Sequence, residues 1–255
     1  MPELLVLALL FLAGAGAGFI NAMAGSGSLL TLPALMLGGL DAVLANGSNR
    51  LGILIQSLFT LKGYASMGLR PDRTTWWGVF PVIVGAVAGA FLTQLFDRGL
   101  FRYVIDVVML GMLVLVSIKQ SSWLRPQGDE SKELRHKPWV VLLMFAAGVY
   151  AGFIQVGSGY VMMAIMVLVG GLDLYRANIV KVVAQLANAA VVLPVYIYLG
   201  EVAWKLAIVL AVGFGLGGWL GARFAVRVGA KWIRYILLAG LSLYLLKEAV
   251  EILVW

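Results

Sequence analysis

The chain has 255 residues, of which 62% are hydrophobic and 12% charged, and a formal net charge of +7 at pH 7. This leaves too little polar surface to cover a water-soluble protein of that size, so the chain reads as an integral membrane protein. It has no cysteine, which excludes disulfides and thiolate chemistry, and the single His136 without paired intramembrane carboxylates predicts no metal centre and no cofactor.

In chain order, residues 4–23 form a first apolar run long enough to span a bilayer, which takes about 20 residues. Met1-Pro2-Glu3 supplies no basic n-region, so this run reads as a retained span rather than a secretory signal. Next comes Gly25-Ser26-Gly27-Ser28 and a short apolar run, 29–37, which at about 1.5 Å per residue is roughly half a bilayer deep. This reads as a half-helix or re-entrant arm. After Gly38-Gly39-Leu40-Asp41, where Asp41 suits a helix N-cap, spans are predicted over 42–61, 75–96 and 101–118. Beyond the polar stretch 121–137 come a span over 139–156, a second short run, 160–169, and spans over 174–199, 202–224 and 232–254. The runs are continuous and lack strand-like alternation, so an all-α polytopic membrane protein is expected rather than a barrel. Trp76, Trp77, Trp139, Trp204 and Trp232 mark span ends as interfacial anchors.

The two short runs belong to a repeat. Gly25-Ser26-Gly27 recurs as Gly157-Ser158-Gly159, Gly38-Gly39-Leu40-Asp41 as Gly170-Gly171-Leu172-Asp173, and Ala45-Asn46 as Ala177-Asn178, all at an offset of 132 residues. The same register carries Gly85 and Gly89 onto Gly217 and Gly221, and Arg102-Tyr103 onto Arg234-Tyr235. Residues 1–119 and 139–255 are therefore two repeats joined by a linker, 120–138. Each consists of a long helix, a short arm and three further transmembrane helices.

Lysine and arginine favour cytoplasmic loops, so they report the orientation of the copies. Placing the connection 62–73, the polar stretch from Lys119 to Lys137, Arg176 and the connection 223–234 inside collects thirteen basic residues, against four outside: Arg98, Arg102, Lys205 and Lys247. The copies are accordingly expected to be inverted, with both termini outside and the linker in the cytoplasm. The basic excess reports topology in a lipid bilayer and implies no nucleic-acid partner; a homo-oligomer is left open.

Paired, glycine-interrupted hydrophobic segments in two halves point to a transporter binding site. Ser26 or Ser28 would cap the first arm, and Ser158-Gly159 opens the second; the N-terminus of such an arm attracts anions through its N–H groups and dipole. The alternative is that these glycines only permit a turn or close packing. Within the next helix lie Asn46, Asn49 and Arg50, and at matching depth in the second copy Asn178 and Lys181. Neither cation has an acidic residue within one turn, which suits an anion site; snorkelling to headgroups is the competing reading. Asn21 and Gln155 occupy equivalent positions just before the two breaks and complete the candidate set. Gln56, Gln185 and Asn188 read as ties between helices or as lining of the route, and Gly85-x-x-x-Gly89 and Gly217-x-x-x-Gly221 as close-packing patterns. There is no nucleophile–base set, Walker loop or dinucleotide fingerprint to suggest an enzyme.

The glycine-rich break, the segment Gly25-Ser26-Gly27-Ser28-Leu29-Leu30-Thr31-Leu32-Pro33-Ala34-Leu35 and the following Ala45-Asn46-Gly47-Ser48-Asn49-Arg50 resemble the TauE/SafE family of membrane transporters. The resemblance extends over essentially the whole chain, with Tyr160 standing where the first copy has Ser28. It implies a secondary transporter for sulfite or another sulfur-containing anion, organosulfonates included. On this reading the cytoplasmic membrane is the site of action and a small anion the substrate. A passive anion channel is the nearest alternative; an intramembrane enzyme or a membrane assembly factor fits less well.

Overall fold

A computed structural model describes residues 3–117 and 138–224. The linker up to residue 137 and the predicted span 232–254 lie outside them. The described residues form helices with no strand: α1 (Glu3–Ala24), α2 (Ser28–Leu37), α3 (Ala42–Ala65), α4 (Arg73–Leu92), α5 (Arg98–Ser117), α6 (Pro138–Phe153), α7 (Ser158–Ala164), α8 (Leu174–Tyr198) and α9 (Trp204–Phe224). A 3-10 turn, Thr93–Leu95, extends α4, and a π-helical turn, Ile165–Val169, extends α7. Asp41 caps α3 through Val43 N and Leu44 N, and Asp173 Oδ1 accepts from Arg176 N in the first turn of α8, so both acidic turns do what the sequence suggests.

Four segments, Glu3–Met23, Thr75–Leu95, Arg176–Tyr198 and Trp204–Arg223, are each long and apolar enough to cross a membrane. The molecule is inverted relative to a soluble globule. Leu4, Leu12, Phe80, Phe91, Val107, Leu142 and Val212 are exposed, whereas Asn46, Ser48, Asn49, Arg50, Gln56, Ser57 and Thr60 on α3 are fully buried. In hydrocarbon this is the stable arrangement, because apolar side chains face lipid at no cost while polar groups find partners inside. Trp76, Trp77, Trp139 and Trp204 stand exposed near the starts of α4, α6 and α9, as expected of interfacial anchors.

The halves interlock: α1 lies mainly on α9 and its counterpart α6 on α4, while α3 lies on α9 and α8 on α4. Without a hydrophobic driving force between helices in lipid, such contacts need small residues that let backbones approach. A Cβ added at Gly217 would fall 1.9 Å from the Ala15 carbonyl oxygen, and one at Gly89 would fall 2.0 Å from that of Val149. The contacts also give direction. Gly213, Gly217 and Gly221 meet Phe11, Ala15 and Phe19 in turn, so α1 and α9 run the same way; Gly85 and Gly89 meet Phe145 and Val149, so α4 and α6 do too. Gly217→Ala is expected to destabilise the detergent-solubilised protein by about 1–3 kcal/mol, the usual cost of overpacking. Gly16→Ala on the facing helix α1, whose added Cβ would meet only Leu30 Cδ2 at 3.8 Å, should leave the thermal midpoint unchanged or slightly higher.

Two faces follow from the ion pairs and turns. On the first face, Arg98 at the start of α5 bridges Asp41 and Glu201, and Lys205 pairs with Glu3, so the starts of α1, α3, α5 and α9 gather there. On the second face, Gly68 to Asp72 between α3 and α4 meets Leu172 and Arg176 at the start of α8. One apolar cluster, with Leu35, Phe101, Phe153, Tyr196 and Leu210, lies toward the first face; another, with Tyr64, Val79, Met144, Met166 and Val180, lies toward the second.

Candidate functional site

Between those clusters the two Gly-Ser-Gly breaks touch. Tyr160 N donates to the Gly25 carbonyl at 3.1 Å, and Gly157 N donates to Ser28 Oγ at 3.2 Å, while Ser28 Oγ donates to the Gln155 carbonyl at 3.0 Å. Gly25 has φ +74°, and a Cβ there would lie 2.5 Å from the Gly159 carbonyl carbon. Glycine is thus required twice over, by conformation and by contact. The expected serine cap is absent on the first arm: the position before α2 is Gly27, whose N–H donates instead to Asn21 Oδ1 at 3.3 Å. Ser28 does not cap because its hydroxyl is engaged across the repeat boundary, and Ser26 Oγ is buried without a partner.

Asn21 and Gln155, the equivalent residues before the breaks, each organise a polar cluster. Asn21 Nδ2 donates to Gln56 Oε1 at 2.6 Å and to Gln185 Oε1 at 3.2 Å, and the Asn21 carbonyl accepts from Lys181 Nζ at 2.7 Å. Gln155 Oε1 accepts from Arg50 Nη1 at 2.9 Å, its N–H donates to Asn46 Oδ1 at 3.3 Å, and its carbonyl accepts from Ser158 Oγ at 3.0 Å. Gln56, Gln185 and Asn188 therefore tie helices together at the same depth. Gly159 closes the layer, since a Cβ there would meet Gln185 Nε2 at 2.5 Å.

Arg50 is fully buried, which eliminates snorkelling. Its guanidinium donates to the Ala151 and Gly152 carbonyls at 3.1 and 2.6 Å and to Asn188 Oδ1 at 3.3 Å, and stands 4.8 Å from the Tyr196 ring centroid. Lys181 is equally buried and makes its one hydrogen bond to the Asn21 carbonyl. Among the described residues every fully buried charged side chain is a cation; no aspartate or glutamate accompanies them. Two formal positive charges are thus held by neutral oxygens alone, which favours an added negative charge.

Apart from Asn178 Oδ1, an acceptor further out, the buried side-chain atoms without a hydrogen bond can all donate. Asn49 Nδ2, Asn188 Nδ2, Arg50 Nε and Ser26 Oγ are buried without a hydrogen bond, while the amide oxygens of Asn49 and Asn188 are already taken by Thr31 and Arg50. What remains is an excess of donors, the complement of an oxyanion. Asn46 and Asn178 lie further out, toward opposite faces. Asn46 Nδ2 donates to the Phe153 carbonyl at 3.0 Å and to Tyr196 Oη at 2.8 Å; Asn178 Nδ2 donates to the Ala22 carbonyl at 2.9 Å and to Tyr64 Oη at 2.5 Å. Tyr64 and Tyr196 are absent from the residues expected from sequence, although the repeat register carries one onto the other.

The profile of the family described as "Sulfite exporter TauE/SafE" matches residues 10–247. The chain belongs to the TauE/SafE family. Among curated sequences it is similar to a "Probable membrane transporter protein" of Haemophilus influenzae, with 30% identity over 90% of this chain and 89% of the relative. It is also similar to "Probable membrane transporter protein ORF9" of a Sinorhizobium species, with 26% identity over 91% and 88% of the two chains. A third relative, "Probable membrane transporter protein YfcA" of Escherichia coli K12, has 28% identity over 92% and 86%. No solved structure matches the chain. Family and relatives together support a membrane transporter.

Proposed function

We propose that the protein is a secondary transporter that moves a small sulfur-containing anion, sulfite or an organosulfonate, across the cytoplasmic membrane by alternating access between two inverted halves. The observation that carries this reading is the donor-rich layer where the breaks meet, with Arg50 and Lys181 buried and, among the described residues, no buried carboxylate beside them. The anion binds between the arms: Ser26 to Ser28 and Ser158-Gly159 donate hydrogen bonds, Arg50 and Lys181 supply charge, and Asn21, Asn46, Asn49, Gln155 and Asn178 orient oxygens. The family description supplies the sulfur.

The inverted arrangement has independent support. The start of α3 is held to the first face through Asp41, and the start of its counterpart α8 lies on the second face with Leu172 and Arg176. The second face gathers Arg70 and Arg176, which supports reading it as the cytoplasmic one, with the linker inside and both termini outside as the distribution of basic residues in the sequence suggests.

Thermal unfolding of the purified protein with sulfite, thiosulfate, sulfate, organosulfonates and carboxylates tests the reading. A sulfur oxyanion at a hundred times its dissociation constant should stabilise the protein by about 2.7 kcal/mol, and equimolar carboxylates by much less. Stabilisation by carboxylates alone, or by none of the anions, would overturn it.

A further inference from the structure

We infer that the Tyr64–Asn178 and Tyr196–Asn46 ties are the two gates of the central polar layer, one toward each face; this rests on the transport reading above. The ties are reciprocal. Each joins a tyrosine in the last turns of one half's long helix to an asparagine in the first turns of the other's, α3 to α8 and α8 to α3. Each is also anchored on a carbonyl at the end of a third helix: Tyr64 Oη and Asn178 Nδ2 both donate to Ala22 of α1, and Asn46 Nδ2 donates to Phe153 of α6. The elements held together are therefore α3, α8 and the helix leading into a break. These are the elements that must part for a solute to reach that break from outside. Asn46 precedes Arg50 by one turn and Asn178 precedes Lys181 by about one, so each tie lies on the outer side of one buried cation. Both ties consist of hydrogen bonds between neutral groups, which exchange for water at small net cost and suit a contact that must break and re-form.

The two ends differ in what lies beyond them. Outside Tyr196 there is a second layer: Glu201 N donates to the Tyr196 carbonyl at 2.8 Å, and Arg98 bridges Glu201 and Asp41 at 2.7 and 2.6 Å. Thr93 Oγ1 also lies 3.2 Å from Tyr196 Oη. Outside Tyr64 lies a cavity of about 250 Å³, lined by Leu69, Arg70, Asp72, Arg176 and Val180 among others, with Leu69 N bonded to the Tyr64 carbonyl. Asn46 is fully buried, whereas Asn178 is only part-buried and its Oδ1 has no partner.

The cysteine-free chain permits a direct test with a Ser26→Cys reporter in the break, labelled by a membrane-impermeant maleimide applied to one face at a time. In this background Tyr64→Phe should raise the labelling rate from the second face about 5- to 30-fold, the factor that loss of the two neutral hydrogen bonds at Tyr64 Oη allows, and leave the first-face rate unchanged or lower. Tyr196→Phe should do the reverse, and adding Arg98→Gln should raise first-face labelling further. Circular dichroism and size-exclusion profiles identical to those of the parent establish that each variant is folded. Equal changes on both faces, changes on the wrong face, or no change in folded variants would overturn the gates. Labelling needs no solute, and uptake is measured in the parent that keeps Ser26, so reciprocal shifts alongside a parent that takes up no anion would overturn only the transport reading. Anion uptake with unshifted labelling would overturn only the gates.

Discussion

Arg50→Gln is expected to weaken anion binding about 10- to 100-fold and to lower the thermal midpoint of the ligand-free protein, whereas Lys181→Met should weaken binding comparably and leave that midpoint unchanged or higher. The difference comes from how each cation is held. Arg50 donates to four oxygens and joins α3 to the end of α6 and to α8, so its removal strands the Ala151 and Gly152 carbonyls and the side-chain oxygens of Gln155 and Asn188 in the interior. Lys181 makes one hydrogen bond, to the Asn21 carbonyl, and otherwise contributes a desolvated charge. Burying a charge with so little compensation is unfavourable, and an apolar side chain of similar length relieves it. Its retention is then explained by the anion it receives, a case of stability given up for function. Calorimetric titration with the anion that stabilises the protein, alongside ligand-free melting curves, reads both effects. Unchanged affinity in both variants would remove these cations from the site; a large loss of ligand-free stability in Lys181→Met would make Lys181 structural.

Much of this site is legible in the sequence because the repeat places its parts at one offset. Gly25 and Gly157, Asn46 and Asn178, and the two Gly-Gly-Leu-Asp turns are each found twice, and a local rule, N-capping by Asp41 and Asp173, holds at both turns. Local rules fail where a side chain is engaged across the halves. Ser28 stands where a cap would, yet its hydroxyl reaches Gln155, 127 residues away in sequence, a pairing that no local pattern encodes. The π-helical turn over Ile165–Val169 likewise has no sequence signature in an apolar run. Tyr64 and Tyr196 are a different case. Tyrosine near a span end suggests an interfacial anchor, and only the repeat register marks these two as a pair; their burial and their bonds to Asn178 and Asn46 appear only in three dimensions. Arg50 shows the same limit, since its distance from the helix end allows snorkelling and only its complete burial rules it out.

Gly25→Ala is expected to abolish transport and to lower stability by more than any other alanine substitution at a glycine of positive φ in the first half. Two costs combine there. A non-glycine residue at φ +74° pays roughly 1–2 kcal/mol for the left-handed conformation. The added methyl would also lie 2.5 and 2.8 Å from the Gly159 carbonyl carbon and oxygen and 2.8 Å from Lys181 Cδ, so the second arm or the lysine must move, at a further cost of about 1–3 kcal/mol. Gly39→Ala isolates the first cost: Gly39 has φ +99°, and among the described residues nothing lies within 4 Å of its added Cβ. Gly159→Ala isolates the second, since its Cβ would meet Gln185 Nε2 at 2.5 Å and the Gly25 carbonyl oxygen at 2.6 Å without a positive φ. The expected order of stability is parent, then Gly39→Ala and Gly159→Ala, then Gly25→Ala, with transport lost in the last two and retained in Gly39→Ala. Melting curves and anion uptake into proteoliposomes measure both. If Gly25→Ala melts with Gly39→Ala and still transports, the breaks are not in contact during turnover, and the anion cannot be held between them. If Gly159→Ala loses transport at near-parent stability and Gly25→Ala loses it as well, the close approach of the two arms serves the solute rather than the fold, because the one change common to both variants is the space between them.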